Sequence, residues 1–186
     1  MKMPSYYRVE QNTPQRGERV LILLAKQYND IEFFYPYYRL LEEGYDVTVA
    51  GLEKGDCAGK NNFQFPITQT VEEIAVDDYE NFDMVYVPGG YAPEHLRKNA
   101  KVLDIIKHFA AAQKPIVSIC HGPLVLADAG ILQGKKVTCW PEIKATITQA
   151  GGHYEDSAIV TDGSLLTSRW PADLPQFMHT VIKMLH

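Results

Sequence analysis

Lys114-Pro115-Ile116-Val117-Ser118-Ile119-Cys120-His121-Gly122-Pro123-Leu124 is the stretch from which the rest of the chain can be read. Ile116 to Ile119 form a short apolar run with β-branched members, the length and composition of a buried strand. Pro115 stands at its entrance, where a missing N–H does little harm. Gly122 permits a sharp turn, Pro123 suits a first helical turn, and Leu124 to Ala129 read as a helix closed by Gly130. Cys120 therefore falls where a strand breaks into a helix, the geometry of a nucleophile elbow with a thiol in place of serine. Backbone N–H groups and the positive end of the following helix are expected to lower its pKa. His121 offers an imidazole and an N–H where an oxyanion would form. Local sequence alone also allows a second reading, a buried cysteine packing as a small hydrophobe.

Upstream, Arg19 to Ala25 is a continuous apolar strand of the kind found in the middle of a parallel sheet. Asp30 is a candidate cap for a helix over residues 31–43, with Phe33, Phe34, Tyr37, Leu40 and Leu41 at helical spacings and Gly44 at its end. Pro36 lies inside that helix and frees the carbonyl of Glu32, which predicts a kink there. Asp46 to Ala50 completes a βαβ unit, so its strands are expected to be parallel with a right-handed crossover. The loop after the first strand lacks Gly-x-Gly-x-x-Gly, and no Walker-type Gly-Lys-Ser/Thr occurs, which argues against those nucleotide folds.

Residues 51–81 are the least regular part, with residues 63–70 expected as edge strands or a hairpin. A strand over residues 83–87 runs into Pro88-Gly89-Gly90-Tyr91-Ala92-Pro93-Glu94. Adjacent glycines there allow close backbone approach to a ligand, or simply make a tight turn before a helix. That helix is expected over residues 93–112, divided at Asn99-Ala100. His108 adjoins its apolar stripe and is expected to be partly exposed. After the elbow, a strand is expected over residues 136–140, a helix over 142–150, and a hairpin over 159–168 turning at Asp162-Gly163. A last helix covers residues 173–185. Alternating strands and helices predict a doubly wound α/β sandwich.

The chain has 186 residues, 46% of them hydrophobic and 22% charged, enough for one domain with a proper core. We expect residues 18–186 to form it. Residues 1–17 would be an arm, either a tail or a segment packed on a neighbouring subunit. A net charge of −5 and the lack of a basic, aromatic-rich cluster speak against nucleic acid as a partner. No apolar run has the length of a membrane span, and no signal-like N-terminal pattern occurs. Cys57, Cys120 and Cys139 are an odd set at wide spacings, without a metal or disulfide pattern, so a reducing cytoplasm and no metal or cofactor are expected. Cys57 and Cys139 are read as structural.

From Val20 to the C-terminus the chain resembles the ThiJ/PfpI superfamily, in particular its PfpI-type intracellular protease and deglycase/glyoxalase III branch. The matching words, in order, are Asp30-Ile31-Glu32, Pro36, Arg39-Leu40, Val87-Pro88-Gly89-Gly90, Ala92-Pro93-Glu94, Ser118 to Pro123, Ala129-Gly130, Asp162-Gly163, Ser168-Arg169 and Pro171 to Leu174. The resemblance implies a flavodoxin-like sandwich, of the class I glutamine amidotransferase-like kind. It implies Cys120 as nucleophile, Glu32 as the acid at its sulfur, and Gly90 and His121 as backbone donors to an oxyanion. Glu94 matches the acid that reaches the histidine of a neighbouring subunit, which implies a dimer or higher homo-oligomer. Gly89, Trp140 and Trp170 are expected to border the substrate. Trp140 stands where relatives often carry tyrosine, and Asn29 replaces an acid.

Three functions follow as expectations. One is glutathione-independent glyoxalase or protein deglycase chemistry on reactive carbonyls, through a hemithioacetal at Cys120. Another is peptide or amide hydrolysis by an intersubunit Cys120–His121–Glu94 triad. The third is a redox sensor or chaperone that uses oxidation of Cys120. In the carbonyl route a carboxyl beside a thiol should share one proton with it, so that Glu32 can move protons between substrate atoms.

Overall fold

The computed structural model describes residues 16–186. The expected arm of residues 1–17 lies outside the described residues except for Arg16 and Gly17. Arg16 donates from its backbone to the Gly44 carbonyl (3.1 Å) and pairs with Glu43 (3.2 Å).

In chain order the elements are β1 (Arg19–Leu24), α1 (Asp30–Glu42), β2 (Asp46–Gly51), the hairpin strands β3 (Gly55–Ala58) and β4 (Gln64–Ile67), and β5 (Gln69–Thr70). Then come β6 (Met84–Val87), α2 (Ala92–Leu96), α3 (Ala100–Ala111), β7 (Ile116–Ile119) and α4 (Pro123–Asp128). The chain ends with β8 (Lys136–Val137), α5 (Lys144–Gln149), β9 (His153–Tyr154), β10 (Ile159–Asp162), β11 (Leu165–Ser168) and α6 (Leu174–Leu185). Seven strands form one sheet in the order β10-β11-β7-β6-β1-β2-β5, parallel except for β10.

Hydrophobic runs dictate this order of burial. β6, β7 and β11 are buried along their whole length and β1 beyond its first residue, as strands covered on both faces must be. Met84 and Tyr86 of β6 meet Pro36 and Leu40 of α1 and Phe177 and Val181 of α6 on one face. α3 lies against β6 and β7 on the other face, with α4 beside it and α2 and α5 flanking α4. The fold is the doubly wound α/β sandwich that the pattern predicts.

The chain winds from β1 outward through β2 to β5, then returns and winds the other way through β6, β7 and β11. The winding therefore reverses between β1 and β6, and open α/β sheets bind ligands outside the strand ends at such a point. Here the loops after β1 and β6 are tied together. Asn29 N–H donates to the Gly89 carbonyl (3.1 Å), and Tyr91 N–H to that of Gln27 (2.8 Å). β7, next to β6, brings Cys120 to the same place.

Pro36 stays inside a helix that runs on through it. The carbonyl it frees, that of Glu32, accepts the buried Tyr86 hydroxyl instead. Tyr86→Phe should cost about 1–2 kcal/mol, the penalty for a buried carbonyl left without a donor. Adding Pro36→Ala should recover part of that loss, because alanine restores the helical N–H. Chemical denaturation of the two variants checks both signs.

Several expectations change in detail. Asp30 is not the cap of α1. Asn29 is, its side chain accepting from the N–H groups of Ile31 (3.1 Å) and Glu32 (3.3 Å), which frees Asp30 for other partners. The helix expected over 93–112 is indeed divided, with Asn99 capping α3. Residues 138–140 do not extend β8. Thr138 N–H instead bonds the Thr167 side chain (2.9 Å) and Trp140 N–H bonds the Cys120 carbonyl (3.0 Å), so this segment is stitched to the ends of β11 and β7. In the last hairpin Asp162 pairs with Leu165, which leaves Gly163-Ser164 as the turn.

Candidate active site

Cys120 follows the last residue of β7 with φ +62°, a left-handed conformation rare for a residue with a Cβ. The strain is held from both sides. Its N–H donates to the Ser168 carbonyl of β11 (3.0 Å), and its carbonyl accepts from Trp140 (3.0 Å). Gly122 is needed for the same turn, since a Cβ there would run into the Ser118 hydroxyl and lie 2.6 Å from the Val87 carbonyl. The elbow thus points the thiol into the crevice at the reversal of the sheet.

Glu32, in the first turn of α1, is fully buried and interacts with this thiol. Its Oε2 accepts from Gly89 N–H (3.1 Å). Oε1 has no nitrogen or oxygen donor among the described residues, and the Cys120 sulfur lies within hydrogen-bonding reach of the carboxyl. Gly89 allows the approach. A Cβ there would strike Glu32 Oε2 and come within 2.5 Å of the Cys120 Cβ. Gly90 adopts φ +80°, and a Cβ on it would press on the backbone of Gln27, Tyr28 and Asn29.

Burial pushes the Glu32 carboxyl up to about 8, against hydrogen bonds from Cys120 and Gly89 and the charge of Lys60. Burial also pushes the Cys120 thiol up, to about 12, and the Glu32 charge adds to this. The backbone N–H groups of Gly90 and His121 point at the sulfur and pull the other way. The lowered thiol pKa expected from the elbow is therefore not what the fold produces. α4 is six residues long, and its dipole does not outweigh a buried carboxyl neighbour. The two groups titrate as one pair, whose first proton leaves near the value for Glu32.

The imidazole of His121 sits with Nδ1 3.3 Å from the Cys120 sulfur. Its pKa is lowered by burial first and by Lys60 next, while Glu142 and Glu94 oppose both. The Trp140 ring stacks on His121 at 6.2 Å, and Trp170 meets Trp140 edge-on at 6.1 Å. Tyr91 flanks His121 on the other side at 6.3 Å. Glu94 lies on α2, half-exposed, 3.6 Å from Arg97, and no hydrogen bond links it to His121 among the described residues. The fold thus brings together Cys120, His121, Glu32, Gly89, Gly90, Trp140 and Trp170, and leaves Glu94 facing outward near them.

Cys57 is half-buried and Cys139 buried, with thiols raised by burial to about 11 and about 12. His108 is half-buried against Glu80 at 3.0 Å. Sequence reasoning missed three residues that shape this site. Buried Asp30 accepts from Asn61 N–H (2.8 Å), the Asn61 amide (3.0 Å) and Phe63 N–H (3.3 Å), pinning residues 59–63 at the mouth. Lys60 rides on that loop. Arg169 lies 4.1 Å over the Trp170 ring and is held by Asp173 and Asp156. The Gly-Lys-Asn-Asn run at 59–62 signals a turn, but not its anchor.

The family model for the DJ-1/PfpI family matches residues 18–184. The chain belongs to that family. A deglycase of Pyrococcus abyssi is 42% identical over 167 residues, covering 90% of this chain and 99% of that protein. The Bacillus subtilis protein YraA, named as a candidate cysteine protease, is 32% identical over 170 residues, covering 91% and 99%. Among solved structures, a two-domain protein of Anabaena variabilis with DJ-1/ThiJ/PfpI-like and ferritin-like domains superposes with a TM-score of 0.86 at 33% identity, over 90% of this chain and 48% of that one. Drosophila melanogaster DJ-1beta gives 0.82 at 29% identity, over 91% and 90%. Membership of the DJ-1/PfpI family and the mostly parallel sandwich agree with the resemblance read from the motifs. Among the described residues no helix is long and apolar enough to cross a membrane.

Proposed function

We propose that the protein converts reactive α-oxoaldehydes, free or as adducts on amines, into hydroxy acids without glutathione, with Cys120 as nucleophile and Glu32 as proton carrier. The observation that carries this reading is the Glu32–Cys120 pair. A buried carboxyl held near pKa 8 at a thiol is mostly protonated at neutral pH, yet about a tenth is carboxylate at pH 7.

The sulfur adds to the aldehyde carbon, and the thiol proton ends on the aldehyde oxygen, giving a hemithioacetal. Gly90 and His121 N–H groups, already aimed at the sulfur, stabilise charge on that oxygen. Glu32 as carboxylate takes the proton from the former aldehyde carbon and returns it to the neighbouring carbonyl carbon, while the hydroxyl proton on the first carbon passes to the oxygen on the second, leaving a hydroxyacyl thioester. Water cleaves the thioester, releasing the hydroxy acid and the thiol. The sum is one oxoaldehyde plus one water to one hydroxy acid, with no oxidant or reductant. Trp140, Trp170 and Gly89 border the bound substrate in this reading. The relatives named deglycase support it.

Amide hydrolysis is the second reading, favoured by Glu94, whose charge acts on His121 although no hydrogen bond joins them within the chain. A triad would then need Glu94 from a second copy. The exposed apolar side chains of α1, Ile31, Tyr35 and Tyr38, together with Phe63, support a homo-oligomer. Three unpaired cysteines support a reducing cytoplasm.

The deciding experiment follows D-lactate formed from methylglyoxal without glutathione, alongside cleavage of fluorogenic peptide amides, in wild type and Glu94→Gln. Carbonyl chemistry predicts lactate formation by both proteins. No lactate, together with amide cleavage that Glu94→Gln lowers about 100-fold or more, overturns it in favour of the triad.

A further inference from the structure

Lys60 is not placed at random on the surface. Its N–H donates to the Tyr28 carbonyl (2.8 Å), and Gly59 N–H donates to that of Phe63 (2.8 Å). Gly59 packs so tightly on the Asp30 carboxylate that no side chain fits there. A buried acid therefore fixes the backbone of the loop at the sheet reversal, opposite the elbow. From that backbone the Lys60 ammonium extends to 4.6 Å from the centre of the Tyr91 ring. Tyr91 is half-exposed and flanks His121. Among the described residues no carboxylate pairs with Lys60 at ion-pair distance. Its charge is felt at both the Glu32 carboxyl and the His121 imidazole.

A cation with no carboxylate partner among the described residues, on a loop pinned by a buried acid at the mouth of the crevice, has a chemical consequence. It stabilises an anion that enters the crevice, and the Tyr91 face keeps it directed there. Glu94 and Glu142 also place negative charge near His121, so recognition of an anion rests on the Lys60 ammonium itself. We propose that Lys60 is a specificity-determining residue, whose ammonium binds a carboxylate on the tail of an α-oxoaldehyde while Cys120 takes the aldehyde end. The substrate class is thus anionic oxoaldehydes, and in this respect the inference rests on the carbonyl reading above. The reaction keeps the same balance. 4,5-Dioxopentanoate plus water gives 2-hydroxyglutarate and one proton, with the tail carboxylate unchanged.

The test separates Lys60 from the reaction itself. Iodoacetate and iodoacetamide alkylate one and the same thiol, the carbon–sulfur bond forming as iodide leaves and the thiol proton passes to buffer. They differ only in the negative charge. Any change in thiolate fraction cancels in the ratio of their rates. In Lys60→Met the iodoacetate-to-iodoacetamide ratio at Cys120 should fall about fivefold at low ionic strength, and Lys60→Arg should retain the wild-type ratio. Added salt should reduce the wild-type ratio towards that of Lys60→Met. In parallel, the kcat/KM ratio for 4,5-dioxopentanoate over 2-oxopentanal should fall by a similar factor in Lys60→Met, chiefly through KM. A Lys60→Met alkylation ratio equal to wild type, or a Lys60→Arg ratio as low as that of Lys60→Met, overturns the proposal. If neither oxoaldehyde is turned over, the carbonyl reading fails, and the alkylation ratio still decides whether Lys60 recognises anions.

Discussion

Cys120→Ala is expected to bring lactate formation from methylglyoxal down to the solution background, a loss of about 10⁴-fold or more, while Glu32→Gln lowers kcat about 10³-fold. The two losses have different causes. Without the sulfur no hemithioacetal forms. Glutamine leaves the sulfur in place and keeps an oxygen to accept the Gly89 N–H, but cannot carry a proton. Hemithioacetal should therefore still form in Glu32→Gln, visible as slowed alkylation of Cys120 in the presence of methylglyoxal. Turnover by Glu32→Gln within tenfold of wild type would remove Glu32 from the proton path. The pH profile supplies a second check. In wild type kcat/KM should rise as the pair loses its first proton, with a limb near pH 8, and that limb should vanish in Glu32→Gln.

The same buried acid acts on stability, and the sign can be worked out. The Glu32 pKa is raised in the folded state from 4.5 to about 8, so the folded protein binds more protons than the unfolded chain between those values. Stability from this group is fully present below about pH 4.5 and is lost as pH rises to about 8. Glutamine does not ionise. Glu32→Gln should therefore gain on wild type by a few kcal/mol between pH 5 and pH 8, of which each unit contributes about 1.4 kcal/mol at most. A variant that becomes more stable as it loses activity is what a carboxyl retained for chemistry predicts.

How much of this was readable in advance depends on the range of each interaction. β1, α1 and β2 were legible because an unbroken apolar run and a 3.6-residue stripe depend on local sequence alone. So was the elbow, where Pro115, Gly122 and Pro123 bracket Cys120 and each acts on its own backbone. Glu32, Gly90 and His121 came from the order of motifs, and the fold then placed them together. Asp30 was misread because its donors, Asn61 and Phe63, are 31 and 33 residues away, and an acid at a helix start looks like a cap whichever partner it has. Residues 138–140 carry strand-like side chains, but their backbone partners are a Thr167 hydroxyl and the Cys120 carbonyl, which no periodicity encodes. The pKa of Cys120 went the other way for a similar reason. The elbow predicts N–H groups near sulfur, and they are there, but burial outweighs them, and the charge of Glu32, brought in by α1 far from the elbow in sequence, adds to it.

Gly89 carries the second large effect. Its backbone φ is not in the left-handed region, so alanine is permitted by torsion and excluded by space alone. The added Cβ would lie between the Glu32 carboxyl and the Cys120 Cβ, with the Ile119 carbonyl 3.0 Å away. The Glu32 carboxyl can swing away, but the Cys120 Cβ and the Ile119 carbonyl are fixed by backbone, so relief requires the segment after β6 and the elbow to part. Overpacking of this kind costs about 1–3 kcal/mol. Separating reacting groups by about 1 Å costs about 100-fold in rate. Gly89→Ala should thus lower kcat/KM by about 100-fold and the melting temperature by several degrees. Gly163→Ala provides the control, since Gly163 has φ +61° but no atom within 4 Å of the added Cβ. It should lose about 1 kcal/mol from strain and keep its activity. Glu32→Gln combined with Gly89→Ala distinguishes a local wedge from general damage. If Gly89 serves the Glu32–Cys120 pair, adding Gly89→Ala to Glu32→Gln should cost much less than 100-fold further, because the contact it breaks no longer moves a proton. A full additional 100-fold loss would show that Gly89→Ala acts on the elbow itself.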